Sequence, residues 1–272
     1  MAAALVMIRE LFSIGPIAIS PFGVMLVVAF LTAYATLIWT AKRLELGNEE
    51  DASALLLAAG IGGVVGGKIY YAALYGDWRL LFDRSGLVFY GALLLGAAAV
   101  FWTSRRRRLP FARVVDAATP AVAVGYAVGR VGCFLVGDDY GRPTDLPWGV
   151  GFPEGLPGPT TAGFLRAEYG LELAGVDAGE LVAVHPTQLY ETVAGLIAAA
   201  VGIWLIRRRP APGTVALTVF SLLAVERFGV EFLRLKDDRF LAGFTVAQLI
   251  SIALLLFFAF LALRIRRASA TE

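Results

Sequence analysis

Cysteine and histidine are almost absent from the chain, which holds one of each, Cys133 and His185. A single cysteine excludes an internal disulfide, and the two residues together make no ligand set for an all-protein zinc site. No metal and no cofactor is expected. Charge is also scarce, at 17% of residues, and nearly balanced at a net +2. The basic residues are scattered among the loops instead of forming one patch, which argues against nucleic acid as a partner. The first twenty residues lack the basic start of a signal peptide, and their apolar, broken pattern reads as an arm lying on the membrane surface. No internal repeat suggests a transporter's duplicated halves. What the chain does have is apolar sequence: 58% of its residues are hydrophobic and its mean hydropathy is +0.72. Its runs reach the roughly 20 residues that a helix needs to cross a bilayer, so the class is an integral membrane protein.

Seven apolar runs are long enough to predict spans, at Phe22–Ala41, Ala52–Tyr75, Gly86–Thr103, Val114–Val136, Thr187–Ile206, Thr214–Leu233 and Ala242–Leu263. Span four is the most interrupted, by Asp116, Pro120, Arg130 and several glycines. With the N-terminus outside, Lys42, Arg43, Arg105 to Arg108, Arg113, Arg207 to Arg209, Arg264, Arg266 and Arg267 all fall on one side. That side is cytoplasmic by the positive-inside bias, which puts the C-terminus inside. The expected fold is therefore an all-α membrane protein of seven transmembrane helices. Residues 1–21 form the arm, 22–136 spans one to four, 137–185 an external head, and 186–272 spans five to seven with a basic cytoplasmic tail. The head is predicted from its length, its glycines and prolines, and its excess of acidic residues; loops of this size are usually functional. The glycine run from Gly60 to Gly67 superficially suggests a nucleotide loop, but inside a span it reads as close helix packing.

Charged side chains within a span are costly and tend to mark function. At 1.5 Å per residue, Lys68 stands about 24 Å and Arg227 roughly 20 Å above the inner ends of their spans. Arg130 lies near the outer end of span four, so the three cations share the outer half, as does Tyr90 early in span three. Two readings stand side by side. One is internal neutralisation, since Glu231 follows Arg227 by four residues and Glu226 adjoins it. The other is an anionic ligand such as a lipid phosphate, which the planar fork of arginine grips well; Arg130 and Lys68 have no obvious local partner. Asp116, near the inner end of span four, reads as structural. Cys133 reads as a small buried residue and not as a nucleophile.

Three segments carry more than composition. They are Gly129-Arg130-Val131-Gly132-Cys133-Phe134 continuing to Gly137-Asp138-Asp139-Tyr140-Gly141-Arg142, then Pro147-Trp148-Gly149-Val150-Gly151-Phe152-Pro153, then His185-Pro186-Thr187-Gln188-Leu189-Tyr190-Glu191. In this order, with Arg227 and Glu231 downstream, they resemble the prolipoprotein diacylglyceryl transferases. Phe22-Gly23, Gly67-Lys68, Tyr90-Gly91 and Asp116 with Pro120 extend the resemblance over most of the chain.

The resemblance implies transfer of the diacylglyceryl group of phosphatidylglycerol to the lipobox cysteine in the signal peptide of a preprolipoprotein. A thioether forms and glycerol phosphate leaves. It implies a bacterial cytoplasmic (inner) membrane location, with the site toward the periplasmic, outer leaflet. The catalytic candidates are then Arg130, Arg227, Tyr90 and Asp138. The substrate-binding candidates are Arg130, Arg227, Lys68, Glu231, His185, Phe22 and Gly141. The departures fall where the chemistry should occur. Tyr90 stands where the family commonly has histidine, Cys133 for asparagine, Asp138 for glutamate and Phe22 for tyrosine, and Lys236-Asp237-Asp238 lacks the family's usual proline. The acceptor thiol must lose its proton, because the thiolate is the nucleophile. Tyr90, Asp138 and His185 are all open as the base. Two alternatives keep the fold: a different acceptor or lipid donor, or a non-catalytic protein that binds or moves lipid.

Overall fold

Apolar runs bounded by polar caps become helices close to where the sequence predicts them. The computed structural model describes residues 3–4, 10–14, 17–83, 88–156, 158–235, 239–241 and 243–269. The helices are α1 (Pro21–Arg43), α2 (Glu49–Tyr75), α3 (Phe89–Arg106), α4 (Phe111–Val136), α5 (Ala162–Tyr169), α6 (Thr187–Arg207), α7 (Thr214–Val230) and α8 (Val246–Ser269). Five of them, α1, α2, α4, α6 and α8, are long and apolar enough to cross a membrane. The protein is thus mostly helical and of the all-α membrane class. Among the described residues, strand is confined to two-stranded pairings, such as Phe12–Ile14 against Ile17–Ile19 and Ala3–Ala4 beside Val150–Gly151.

Several boundaries correct the sequence reading. Span six was predicted to run to Leu233, but α7 ends at Val230. Phe232 and Leu233 instead donate their N–H groups three residues back, to the carbonyls of Gly229 and Val230. This tighter turn frees the Leu233 carbonyl to accept from Arg142 N at 2.7 Å and delivers Arg234 into a bridge with Gly141. Span seven was predicted from Ala242, yet α8 starts at Val246. Thr245 and Gln248 exchange side-chain-to-backbone hydrogen bonds of 3.1 and 3.2 Å there, the reciprocal cap that fixes a helix start. Span three begins at Phe89, and the predicted start at Gly86 lies outside the described residues. Span four runs unbroken through Pro120. The short helix α5 was not predicted.

The chain divides into two compact units. The first comprises Met1–Ala33, Thr119–Gly202 and Leu217–Glu272. In it, missing side chains make room for bulky neighbours. A Cβ on Gly202 would stand 2.9 Å from Pro120 Cγ and 2.8 Å from Val219 Cγ2, and one on Gly132 would meet Met25 Cβ at 3.0 Å and Phe22 Cδ2 at 3.3 Å. The segment after α4 has an apolar core of its own, built from Tyr140, Phe152, Leu165, Val184 and Leu235. Tyr140 stacks on Phe152 with ring centroids 5.7 Å apart, and its hydroxyl donates to the Gly158 carbonyl at 3.0 Å.

The second unit comprises Tyr34–Ala118 and Ile203–Ala216. Its centre is the antiparallel pair α2 and α3. A Cβ on Gly62 would lie 2.8 Å from the Leu95 carbonyl oxygen, and the backbones of Gly66 and Gly91 sit closer still. The glycine run therefore packs helices, as expected. Asn48 and Asp51 form a capping box at the start of α2, where three acidic residues meet the positive end of the helix dipole. Asp116 is fully buried and also acts as a cap. Its two carboxylate oxygens accept from Gly213 N at 2.8 Å and Ala216 N at 2.9 Å, at the start of α7. The structural role expected of Asp116 is borne out. Lys68 and Tyr90 also belong to this unit. The Lys68 Nζ donates to the Asp83 carbonyl at 2.6 Å, and Tyr90 is 47% exposed.

Candidate active site

Within the first unit, the three sequence motifs converge. Asp139, just past α4, has φ 62°, a left-handed conformation that aspartate tolerates better than most residues. Its carbonyl accepts from the Thr187 hydroxyl at 2.7 Å, and the carbonyl of Asp138 accepts from Gln188 Nε2 at 2.6 Å. The first motif is thereby joined to the third, at the N-terminus of α6. Trp148 of the second motif donates its indole N–H to the Tyr190 hydroxyl at 2.7 Å, and that hydroxyl lies 3.2 Å from His185 Nδ1. Gly141 sits at the crossing. It donates to the His185 carbonyl at 2.9 Å, and a Cβ there would meet Leu233 O at 2.6 Å and His185 Cβ at 2.8 Å. Only glycine fits this approach.

A buried charge cluster stands beside this junction. Arg130 Nη1 is 3.2 Å from Asp139 Oδ2, and Arg130 Nη2 meets Glu191 Oε2. Arg234 completes the square: it pairs with Asp139 Oδ1 and lies 3.8 Å from Glu191 Oε1. Side-chain exposure is 11% for Arg130, 2% for Glu191 and 7% for Arg234. Two cations and two anions at this depth are neutral together, which suits groups withdrawn from water. Arg227 Nη2 pairs with Glu231 Oε2 at 2.8 Å, the same-face i,i+4 contact that the spacing predicts.

Arg130 is a correction: the sequence showed no local partner for it, and the structure supplies Glu191 from α6 and Asp139 from the turn after α4. The carboxylate that bridges Arg130 and Arg234 is that of Asp139. Asp138, the residue expected from the sequence, contributes its main-chain carbonyl to the junction. Phe22 lies at the start of α1 against Gly132, 38% exposed. Cys133 is buried, with Arg130 Nη1 3.5 Å from its sulfur.

Neutral overall, the cluster still has unspent hydrogen-bonding capacity. Arg130 Nε and Arg227 Nη1 are buried donors without a partner, and Gln188 Oε1 and Glu226 Oε1 are buried acceptors without one. Native interiors leave few such atoms, and each calls for an explanation. Donors of this kind suit phosphate oxygens. Outside the helices, burial pushes the Tyr140 hydroxyl up from its ordinary value and His185 down, which keeps both neutral near pH 7.

The sequence pattern alone did not mark Glu191, Asp139, Arg234, Glu226 and Gln188 as site members, although all but Arg234 stand in its motifs or beside Arg227. The signal for two of them was present: Glu191 and Glu226 are carboxylates inside predicted spans, where any ionisable group is a functional candidate.

Comparison with known proteins supplies the rest. A family model described as prolipoprotein diacylglyceryl transferase matches residues 9–264. A phosphatidylglycerol–prolipoprotein diacylglyceryl transferase of Stenotrophomonas maltophilia is 33% identical over 94% of this chain and 91% of its own length. The protein of that name from Xylella fastidiosa is 33% identical, covering 92% of this chain and 90% of its own length. The one from Vibrio cholerae is 31% identical, covering 90% and 87%.

Proposed function

The chain belongs to the prolipoprotein diacylglyceryl transferase family, and on that basis we propose that it transfers diacylglyceryl from phosphatidylglycerol to the lipobox cysteine of a preprolipoprotein signal peptide. The observation that carries the reading is the buried cluster of Arg130, Arg234, Glu191 and Asp139 beside Arg227, with donors left over at Arg130 Nε and Arg227 Nη1. These two atoms take the lipid phosphate. Carboxylates hold Arg130 Nη1 and Nη2 and Arg227 Nη2 in place, so the donors are aimed before substrate arrives. As the glyceryl carbon–oxygen bond breaks, charge gathers on the phosphate. Preorganised donors in a dry site then stabilise that charge most strongly.

Seven helices span the bilayer in this reading, with the N-terminus outside and the C-terminus in the cytoplasm of a bacterium's inner membrane. Support comes from the basic residues in the last turns of α1, α3 and α6, in the residues just after α3 and α6, and at the end of α8. Residues 1–21 are the surface arm and 137–185 the external head, so the site opens toward the outer leaflet. Phe22, Glu231, His185 and Gly141 act here by position: Phe22 at the lipid entrance, Glu231 by orienting Arg227, and His185 with Gly141 by holding the junction of the motifs. Asp138 contributes its carbonyl. Lys68 and Tyr90 stand as expectations of the sequence pattern.

The test is to incubate purified protein with phosphatidylglycerol and a lipobox peptide and to look for the thioether adduct by mass spectrometry. Adduct in the wild type and none with Arg130→Ala supports the reading. No adduct under conditions where a relative works overturns it. Tyr90, Cys133 and Asp138, which depart from the common pattern, favour a second reading in which the acceptor or donor differs. Rescue of a strain depleted of its own transferase would refute that.

A further inference from the structure

The acceptor thiol needs a proton acceptor, and Glu226 is a carboxylate in the first unit with no arginine pair among the described residues. Asp139, Glu191 and Glu231 each pair with a guanidinium. Glu226, on α7, forms no ion pair among the described residues. Its Oε2 accepts one long hydrogen bond, 3.4 Å, from the Tyr126 hydroxyl of α4, and its Oε1 is buried without any partner. An arginine-paired carboxylate has its oxygens engaged and its charge held, whereas Glu226 Oε1 keeps a lone pair open to receive a proton. The charged and titratable neighbours that act on Glu226 are Tyr126 and Arg130 from α4, Glu191 from α6 and Arg227 beside it on α7. Glu226 directly precedes Arg227 in the chain, and its hydrogen-bond partner Tyr126 lies four residues before Arg130 on α4.

We propose that Glu226, positioned by Tyr126, is the base that deprotonates the acceptor thiol, an inference that rests on the transferase reading above. The thiol proton passes to the Glu226 carboxylate. The sulfur electron pair forms the bond to the glyceryl carbon, and the carbon–oxygen bond to phosphate breaks with its electrons staying on oxygen. Glycerol phosphate leaves with one more negative charge than the diester phosphate carried, and the proton on Glu226 then returns to solvent. No oxidant or second reactant is needed.

The experiment compares wild type, Glu226→Gln and Glu226→Asp in phosphatidylglycerol nanodiscs, following thioether formation between pH 6 and 9. Two acceptor peptides are used, one with cysteine and one with selenocysteine, whose selenol ionises at neutral pH without help. If the wild type forms no adduct, the transferase reading fails whatever Glu226 does. With an active wild type, Glu226→Gln is expected to lower kcat on the thiol peptide by about 10²- to 10⁴-fold. Its phosphatidylglycerol binding stays within about threefold, its deficit narrows as pH rises, and the selenol peptide recovers most of the rate. Glu226→Asp restores part of the activity. Equal deficits on thiol and selenol, a Glu226→Gln rate within about threefold of wild type, or loss of lipid binding in parallel with rate would each overturn the assignment. So would loss of the pH dependence in His185→Gln and not in Glu226→Gln.

Discussion

Replacing Glu191 by glutamine removes one charge and almost no volume from the buried square. Glu191 Oε2 meets Arg130 Nη2, and its Oε1 lies 3.8 Å from Arg234 Nη1. Taking one partner from a buried ion pair costs about 3–5 kcal/mol, because the other is left charged and unanswered. Asp139 still touches both guanidinium groups, so the low end applies, about 3 kcal/mol. At about 2–4 °C per kcal/mol for a chain of this size, the unfolding midpoint should fall by about 6–12 °C. The chain's five tryptophans supply the signal for a thermal scan in detergent. Arg130→Met is measured alongside, singly and in combination. If the two side chains interact as described, the double variant is more stable than the sum of the singles predicts, by at least about 1 kcal/mol. Additivity within about 0.5 kcal/mol, or a midpoint within about 2 °C of wild type for Glu191→Gln, would refute the buried square.

Three other perturbations probe the frame around it. Asp116→Ala strips two backbone N–H groups at the start of α7 of their acceptor and should lower stability by about 1–3 kcal/mol, read in the same scan. Gly66→Ala drives a methyl into the backbone of Gly91 and should cost about 1–3 kcal/mol, whereas Gly60→Ala meets nothing within 4 Å and should be neutral or slightly stabilising. His185 gives a pH dependence of defined sign. Burial lowers its pKa, so between about 6.5 and its lower folded value the unfolded chain binds more protons. Its contribution is fully present above about pH 6.5 and is lost as pH falls through the folded value. His185→Gln should therefore flatten the acid limb of a plot of midpoint against pH.

Helix content was readable from sequence because a bilayer span needs a long apolar run and little else; α2 and α6 match their predicted spans to within a few residues. The ends were less legible where tertiary contacts set them. Leu233 leaves the helix because its carbonyl is needed by Arg142, and no local property of Phe232 or Leu233 announces that. The site shows the same division. Arg227 with Glu231 is a spacing effect and was visible. Arg130 with Glu191 joins two helices far apart in sequence, and the pairing follows from how α4 and α6 pack. Asp138 and Asp139 are neighbours of identical chemistry. Which of them bridges the arginines depends on the left-handed turn at Asp139, a feature of backbone geometry that composition does not encode.

The cap made by Asp116 bears on the order in which the chain is assembled. The carboxylate and the first amide it receives are 97 residues apart, with the acceptor made first. When the ribosome delivers the Gly213–Ala216 segment, the α4 acceptor has already been synthesised. The opening turn of α7 can then exchange water for Asp116 as it docks, and its N–H groups need not enter an apolar surrounding bare. Until that moment the aspartate has no amide to answer it, so its burial and the seating of α7 are a single event in folding. A substitution at Asp116 should accordingly slow insertion of the C-terminal helices as well as weaken the finished protein, and a protease-protection time course on nascent chains would separate the two.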